Sequence, residues 1–130
     1  MNAMLDSDTC IYLMNRHPRM VAHEPLHKCC ISSVVLGELE YGCLNSQRIV
    51  ENRAKLELFL GNIAIAVIGE AEAKAYAELR MTIKSNIIGP NDLWIAAHAL
   101  ALDLPIVTNN DREFGRVPNL VVDNWMQDGD

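Results

Sequence analysis

The sequence predicts an α/β fold in which a parallel β-sheet is flanked by α-helices within one domain. Short apolar runs with strand character alternate with longer helical patterns along the 130 residues. The turn signals of β-hairpins are missing between these runs, so we expect helical crossovers, which make the strands that they join parallel. The first apolar run ends in Asp6, at the position where open parallel sheets gather their ligands.

The bulk composition is that of an ordinary globular domain. Half of the residues are apolar and 22% are charged. No apolar run approaches the roughly 20 residues that a membrane span needs, and the N-terminus lacks the basic and apolar regions of a signal peptide. We therefore expect a cytoplasmic protein that has no membrane partner.

The four cysteines are not arranged as a disulfide framework or as a zinc site. No two of them form a CxxC pair, and adjacent cysteines in a strand cannot easily bridge to each other. We expect all four to be free, buried thiols: Cys10, Cys29, Cys30 and Cys43.

The net charge of −6 argues against a general nucleic-acid coat protein, because such binding draws on a basic surface. It does not exclude an enzyme in which a cation lies between carboxylates and phosphates. Basic residues form two pairs at helical spacing, Arg80 with Lys84 and Arg112 with Arg116. Each pair is either part of a solvated helix surface or a contact to the phosphates of RNA.

Hydrophobic periodicity and turn residues predict five strands and five helices along the chain. The predicted strands cover residues 2–6, 28–32, 63–68, 104–108 and 119–123. The predicted helices cover about 8–16, 33–44, 47–60, 70–85 and 89–102. In the last of these, residues 93–102 are apolar nearly all round, as in a buried helix.

Three of these helices start next to residues that are suited to cap them. Ser7 or Asp8 is suited to cap the first helix, Ser32 or Ser33 the second, and Ser46 the third. The fifth helix opens with a Gly-Pro pair, which puts proline at a favourable first-turn position.

Three acids are placed where this sheet would bring them together. Asp6 ends the first strand, Glu38 lies in the helix after the second strand, and Asp92 lies in the first turn of the buried helix. Each alone has a structural alternative, as a helix cap, a partner for a helix N-terminus or a partly exposed acid. Together they would repel one another unless a cation were present. Mg²⁺ and Mn²⁺ prefer such oxygen ligands and support phosphodiester cleavage.

Four segments resemble the motifs of PIN-domain ribonucleases, specifically the VapC-type toxins of bacterial toxin–antitoxin pairs. In chain order they are Met4–Tyr12, Ile31–Gly42, Ile88–Ala99 and Val107–Phe114, and the ending from Val117 to Trp125 also fits. The similarity spans nearly the whole chain, so we expect residues 1–130 to be one PIN-like domain.

The resemblance implies a Mg²⁺- or Mn²⁺-dependent endoribonuclease that a VapB-like antitoxin keeps inactive. By position, it makes Asp6, Glu38 and Asp92 the acids that bind metal and position the attacking water. Members of the family often form homodimers, and their targets tend to be structured RNAs such as tRNA.

Two departures from the family pattern affect the predicted site. Many PIN domains have a fourth acid in a Thr-x-Asp pattern, whereas here Asn110 takes that position and Asp111 follows it. We expect Asn110 to act on the metal indirectly and Asp111 to be a supplementary acid. Thr108 and Ser7 are further candidates for orienting metal ligands. Asp8 stands where asparagine is more common, and it either caps the first helix or alters metal affinity.

Two other functions remain open at this point. The Asp6–Thr9 segment, Asp-Ser-Asp-Thr, resembles the DxDxT first motif of haloacid-dehalogenase-like phosphatases, although its threonine directly follows the second aspartate. Those enzymes need a later acidic pair, for which Asn110-Asp111 is a poor substitute, and a chain of 130 residues is short for their fold. A catalytically silent PIN-like binding module would keep the fold without the metal. Neither GxGxxG nor GxxxxGK[ST] occurs, so nucleotide-binding motifs lend no support to other classes.

Overall fold

The computed structural model describes residues 1–83 and 88–128 and contains one five-stranded parallel sheet. The strand order is β3-β2-β1-β4-β5, and every strand pairs in parallel with its neighbours. The strands are β1 Ala3–Leu5, β2 Cys29–Ser32, β3 Ala64–Ala66, β4 Ile106–Val107 and β5 Val122–Asp123. The parallel α/β fold predicted from the alternating pattern is confirmed.

Six α-helices connect and cover the strands in the described part of the chain. They are α1 Ser7–Met14, α2 Ser33–Leu44, α3 Ile49–Leu60, α4 Glu70–Ile83, α5 Pro90–Ala101 and α6 Asp111–Phe114. The four-residue α6 and a short 3₁₀ helix, Leu26–Lys28, had not been predicted. The last two residues predicted for the fourth helix, 84 and 85, lie outside the described residues.

The sheet reverses its order of strands at β1, and this places the end of β1 at the centre of the sheet. The chain moves outward from β1 to β2 and β3, then returns to the other side of β1 for β4 and β5. In open parallel sheets such a switch leaves a crevice beyond the carboxyl ends of the central strands. Asp6 directly follows β1 and therefore lies at this crevice.

The core is formed by the strands together with α5. All residues of β1, β2 and β4 are buried, and so are Ile95, Ala96, Ala97 and Ala99 of α5. The four cysteines are free and buried, as predicted. None of the helices in the part of the chain that the structure describes is long and apolar enough to cross a bilayer.

The capping residues differ from the prediction in two of three helices. Asp6 itself caps α1, because its side chain accepts a hydrogen bond from the Thr9 backbone N–H, so Ser7 and Asp8 do not cap it. Ser32 caps α2 as expected. The Ser46 hydroxyl donates to the Cys43 carbonyl instead of capping α3, which begins three residues later.

One buried polar contact sets α5 against the end of β2. His98 is 1% exposed, and its Nδ1 lies 2.8 Å from the Ser32 hydroxyl oxygen. Burial lowers the pKa of His98, so the ring is neutral at pH 7. Since Ser32 also caps α2, this contact fixes the two acid-bearing helices, α2 and α5, relative to each other.

Candidate active site

Side chains from four elements meet beyond the carboxyl ends of β1 and β4. Asp6 follows β1, Glu38 lies in the second turn of α2, and Asp92 is the third residue of α5. Thr108 follows β4 and leads into the loop that carries α6. The three acids predicted from the sequence therefore do share one edge of the sheet.

Asp6 is held by donors on both oxygens of its carboxylate. It is 6% exposed, and its Oδ1 accepts from the Thr9 backbone N–H at 3.0 Å. Its Oδ2 accepts from the hydroxyl of buried Thr108 at 2.5 Å, and that hydroxyl in turn accepts from the Asn110 backbone N–H at 2.8 Å. Burial raises the pKa of Asp6, and these hydrogen bonds oppose the shift.

Glu38 is half-buried and is held by residues from α1 and α5. Its Oε1 accepts from the Ser7 hydroxyl at 2.5 Å, and its Oε2 accepts from the Asn91 side-chain amide at 3.4 Å. Ser7, predicted to orient a metal ligand, thus contacts Glu38 directly, and Asn91 holds the same carboxylate from the helix that carries Asp92.

Asp92 reports the electrostatics of the whole group. Burial and neighbouring negative charges raise its pKa from an ordinary 3.8 to about 7. Those charges belong, in decreasing order of effect, to Glu113, Asp6, Glu38 and Asp8. Since a carboxylate among carboxylates is stabilised in its protonated form, the site favours any cation that can replace the proton.

Glu113 is the acid that the sequence analysis missed. Its Oε1 accepts from the Gly89 backbone N–H at 2.6 Å, at the start of α5, and its Oε2 accepts from the Asn110 side-chain amide at 2.7 Å. Among the neighbouring charges, that of Glu113 raises the pKa of Asp92 the most. The signal available in the sequence was that Glu113 follows Asn110 by three residues, a spacing that brings two side chains together in a helical turn. The four residues of α6 are too few to show a helical pattern, so this turn was not predicted.

The supplementary acids, Asp8 and Asp111, are both exposed and have different neighbours. Asp8 is exposed in the first turn of α1, where its charge raises the pKa values of Asp6 and Asp92. Asp111 is also exposed, and its Oδ1 accepts from the Asn124 side-chain amide at 2.9 Å, next to the C-terminal segment.

The two basic pairs are not equivalent in the structure. Arg112 lies in α6, whereas Arg116 lies beyond its end, so this pair does not share one helix face as the spacing suggested. Both are exposed beside the loop that carries Glu113. Arg80 is exposed on α4 and donates to the Tyr76 hydroxyl, and Lys84 lies outside the described residues.

The donor chemistry of the group fits a hydrated divalent cation. In residues 1–83 and 88–128, no group of three or more Asp, Glu, His or Cys side chains is arranged so that it could hold a metal ion by itself. The carboxylates of Asp6, Glu38 and Glu113 each accept hydrogen bonds from neighbouring donors, and their charges act on Asp92. Mg²⁺ usually keeps several waters and needs only one or two direct carboxylates, so this open arrangement suits it.

The Asp92 pKa predicts how stability depends on pH. Because the folded-state pKa is raised above the unfolded value, Asp92 lowers the free energy of unfolding as pH rises from about 4 to about 7. We expect Asp92→Asn to raise the free energy of unfolding by about 1 to 3 kcal/mol at pH 8 in EDTA, and by less at pH 5. Urea denaturation measures both values.

A matched control for this measurement is Asp103→Asn. Asp103 is exposed just after α5, and its left-handed backbone (φ 55°) suits asparagine equally well. This variant should behave like the wild type at both pH values. An equal effect of Asp92→Asn at pH 5 and pH 8 would contradict the electrostatic explanation.

The chain is similar to known proteins over almost its full length. A family model described as "PIN domain" matches residues 3–120. Ribonuclease VapC2 of Rickettsia felis is 43% identical over 129 residues, covering 94% of this chain and 96% of that protein. The tRNA(fMet)-specific endonuclease VapC of Shigella flexneri is 38% identical over 127 residues, with coverage of 94% and 96%.

Solved structures agree with the sequence comparisons. The crystal structure of VapBC2 from Rickettsia felis bound to a DNA fragment from their promoter contains a chain that aligns with a TM-score of 0.87 and 41% identity, covering 96% of this chain and 99% of that one. DNA-bound VapBC from Salmonella typhimurium gives 0.82 and 31%, with coverage of 96% and 98%. The match to PIN domains favours this family over the phosphatase interpretation of Asp6–Thr9. The chain belongs to the PIN-domain family and, within it, to the VapC ribonucleases.

Proposed function

We propose that this protein is the toxin of a VapBC-type toxin–antitoxin pair and hydrolyses RNA phosphodiester bonds with the help of Mg²⁺ or Mn²⁺. The observation that carries the proposal is the acid group at the end of β1, in which the negative charges of Glu113, Asp6 and Glu38 help raise the pKa of Asp92 to about 7. Carboxylates that served only to stabilise the fold would not need to lie so close together, because their mutual repulsion lowers the free energy of unfolding.

The relatives supply the reaction class. They are a ribonuclease and a tRNA(fMet)-specific endonuclease, and each aligns with 94% of this chain. We propose the same chemistry here, with a structured RNA such as tRNA as the substrate, and the proposal is supported by Asp6 after β1, Glu38 in α2 and Asp92 in α5.

The residues that would hold the cation are the carboxylates of Asp6, Glu38, Asp92 and Glu113. A bound Mg²⁺ or Mn²⁺ supplies Lewis-acid chemistry, since it activates water and offsets negative charge on the phosphate. Asp92 must be ionised to take part, and its pKa of about 7 means that the group is ready to exchange a proton for a cation near neutral pH.

The neighbouring polar residues keep these carboxylates in place. Thr108 directs its hydroxyl hydrogen to Asp6, Ser7 does the same for Glu38, and the Asn110 amide binds Glu113. These donors fix the orientation of the carboxylates, and each carboxylate oxygen keeps further acceptor capacity with which it can orient the attacking water. We propose this indirect role for Asn110, in agreement with the expectation from its place in the motif.

The RNA backbone needs positive charge near this acidic edge. Arg112 and Arg116 are exposed beside Glu113, so they are the best placed of the basic pairs to contact phosphates on either side of the scissile bond. Arg80 lies on α4 and donates to the Tyr76 hydroxyl, and with Lys84 it is the less favoured pair.

The proposed partners are a VapB-like antitoxin and a second copy of this chain. Two of the similar solved structures are of DNA-bound VapBC2 from Rickettsia felis and DNA-bound VapBC from Salmonella typhimurium. We propose that the antitoxin of this protein blocks the acid group, that the toxin forms a homodimer, and that both act in the cytoplasm.

Cleavage of RNA by purified protein tests the reaction. We expect the wild type to cut a pool of total RNA and tRNA in Mg²⁺ or Mn²⁺ and to be inactive in EDTA. Asp6→Asn and Asp92→Asn should each lower the cleavage rate by about 100-fold or more, because each removes a charged ligand while keeping the shape of the side chain.

Asp103→Asn again provides the matched control and should cut at the wild-type rate. A folded wild type that is free of antitoxin and cuts no RNA with either cation would contradict the proposed reaction and favour a silent binding module. Near-wild-type cutting by Asp6→Asn or Asp92→Asn would remove that residue from the site.

Growth of a bacterial host tests the toxin assignment. Induced expression of the wild type should arrest growth, and co-expression of the antitoxin encoded beside it should restore growth. Asp92→Asn at the same protein level should be harmless, because arrest requires cleavage. Arrest that persists in the Asp92→Asn strain would show that toxicity has another cause.

A further inference from the structure

We propose that Asp111 is a positioning residue. Its carboxylate accepts a hydrogen bond from Asn124, and this contact holds in place α6, the helical turn that carries Glu113. On this proposal Asp111 does not bind the cation, although it is the acid that directly follows the Thr-Asn-Asn motif. The inference rests on the proposed nuclease function and assigns the fourth acidic position of that site to Glu113.

Asn124 uses its whole side-chain amide to hold two parts of the chain together. Its Nδ2 donates to Asp111 Oδ1 at 2.9 Å and to Asn109 Oδ1 at 3.3 Å. Its Oδ1 accepts from the Met126 backbone N–H at 2.8 Å. The amide is thus oriented by its own strand end and presents both hydrogens to the loop that follows β4.

The C-terminal segment is a rigid base for this contact. Asp123 pairs with Val107 in the sheet, and its carbonyl accepts from the Thr108 backbone N–H at 2.9 Å. Trp125 is 1% exposed, and its indole N–H donates to the Asp123 carboxylate at 3.0 Å. Asn124 therefore lies between two residues that the sheet and the core both fix.

The single turn of α6 sends its two acids to opposite sides. Residues two apart on a helix differ by about 200° in direction, so Asp111 faces Asn124 while Glu113 faces Gly89 and Asn110. The turn is tight, because a Cβ added at Gly115 would come within 2.6 Å of the Asp111 carbonyl oxygen. Asp111 and Glu113 therefore share one tight turn, which is the basis for our proposal that the contact of Asp111 with Asn124 positions Glu113.

The two possible roles of Asp111 require different chemistry. A cation ligand needs the negative charge, whereas the contact to Asn124 needs only an oxygen that accepts a hydrogen bond. Asparagine at position 111 keeps that oxygen and removes the charge. Asn124→Asp removes the amide that donates to Asp111 and puts a second carboxylate opposite the Asp111 carboxylate.

The experiment compares the wild type with four variants: Asp111→Asn, Asn124→Asp, the double variant Asp111→Asn/Asn124→Asp, and Asp92→Asn. The last is the reference for a variant that has lost a proposed cation ligand. Cleavage rate and Mn²⁺ affinity, by calorimetry on the metal-free protein, are both measured. We expect Asp111→Asn to stay within about threefold of the wild type in both, while Asn124→Asp lowers kcat by about 10- to 100-fold with little change in KM.

The double variant restores the contact with donor and acceptor exchanged, since Asn at position 111 can donate to Asp at position 124. It should recover most of the activity that Asn124→Asp loses. Loss of Mn²⁺ affinity and cleavage in Asp111→Asn, to the level of Asp92→Asn, would overturn the inference, and so would a double variant no better than Asn124→Asp. An inactive wild type would instead contradict the proposed function.

Discussion

The rest of the site depends on one constraint, the mutual repulsion of carboxylates that the sheet brings to a single edge. Asp92 shows the size of this effect, because burial and the surrounding negative charges raise its pKa to about 7. A folded protein tolerates such a group only if something compensates the charge. In the free chain a proton does so in part, and a divalent cation would do so more completely.

The fold provides the means of holding this unfavourable group together. The change in strand order at β1 places Asp6 at the central crevice, and the crossover helices bring Glu38 and Asp92 to it from both sides. The contact between Ser32 and His98 then sets those two helices against each other within the core. The backbone positions of the acids are therefore set by buried structure, and the surrounding polar donors set only the orientation of the carboxylate oxygens.

Much of this could be predicted from the sequence, because strands, helices and their order leave clear patterns. Asp6, Glu38 and Asp92 were found from their places on such elements. Glu113 was not, since the four-residue α6 has too few positions to show a helical period. The orientation of Asp111 could not be predicted either. Asp111 and Glu113 point to opposite sides because residues 111–114 form a helical turn, and the sequence does not show that turn.

The most direct test of this account is a calorimetric titration of Mn²⁺ into the metal-free protein at pH 5.5 and pH 8. If the acid group exists to hold a cation, Mn²⁺ must displace the proton on Asp92, so binding should be about tenfold or more tighter at pH 8 and should release protons near pH 7. Binding of equal strength at both pH values, or binding unchanged in Asp92→Asn, would contradict it.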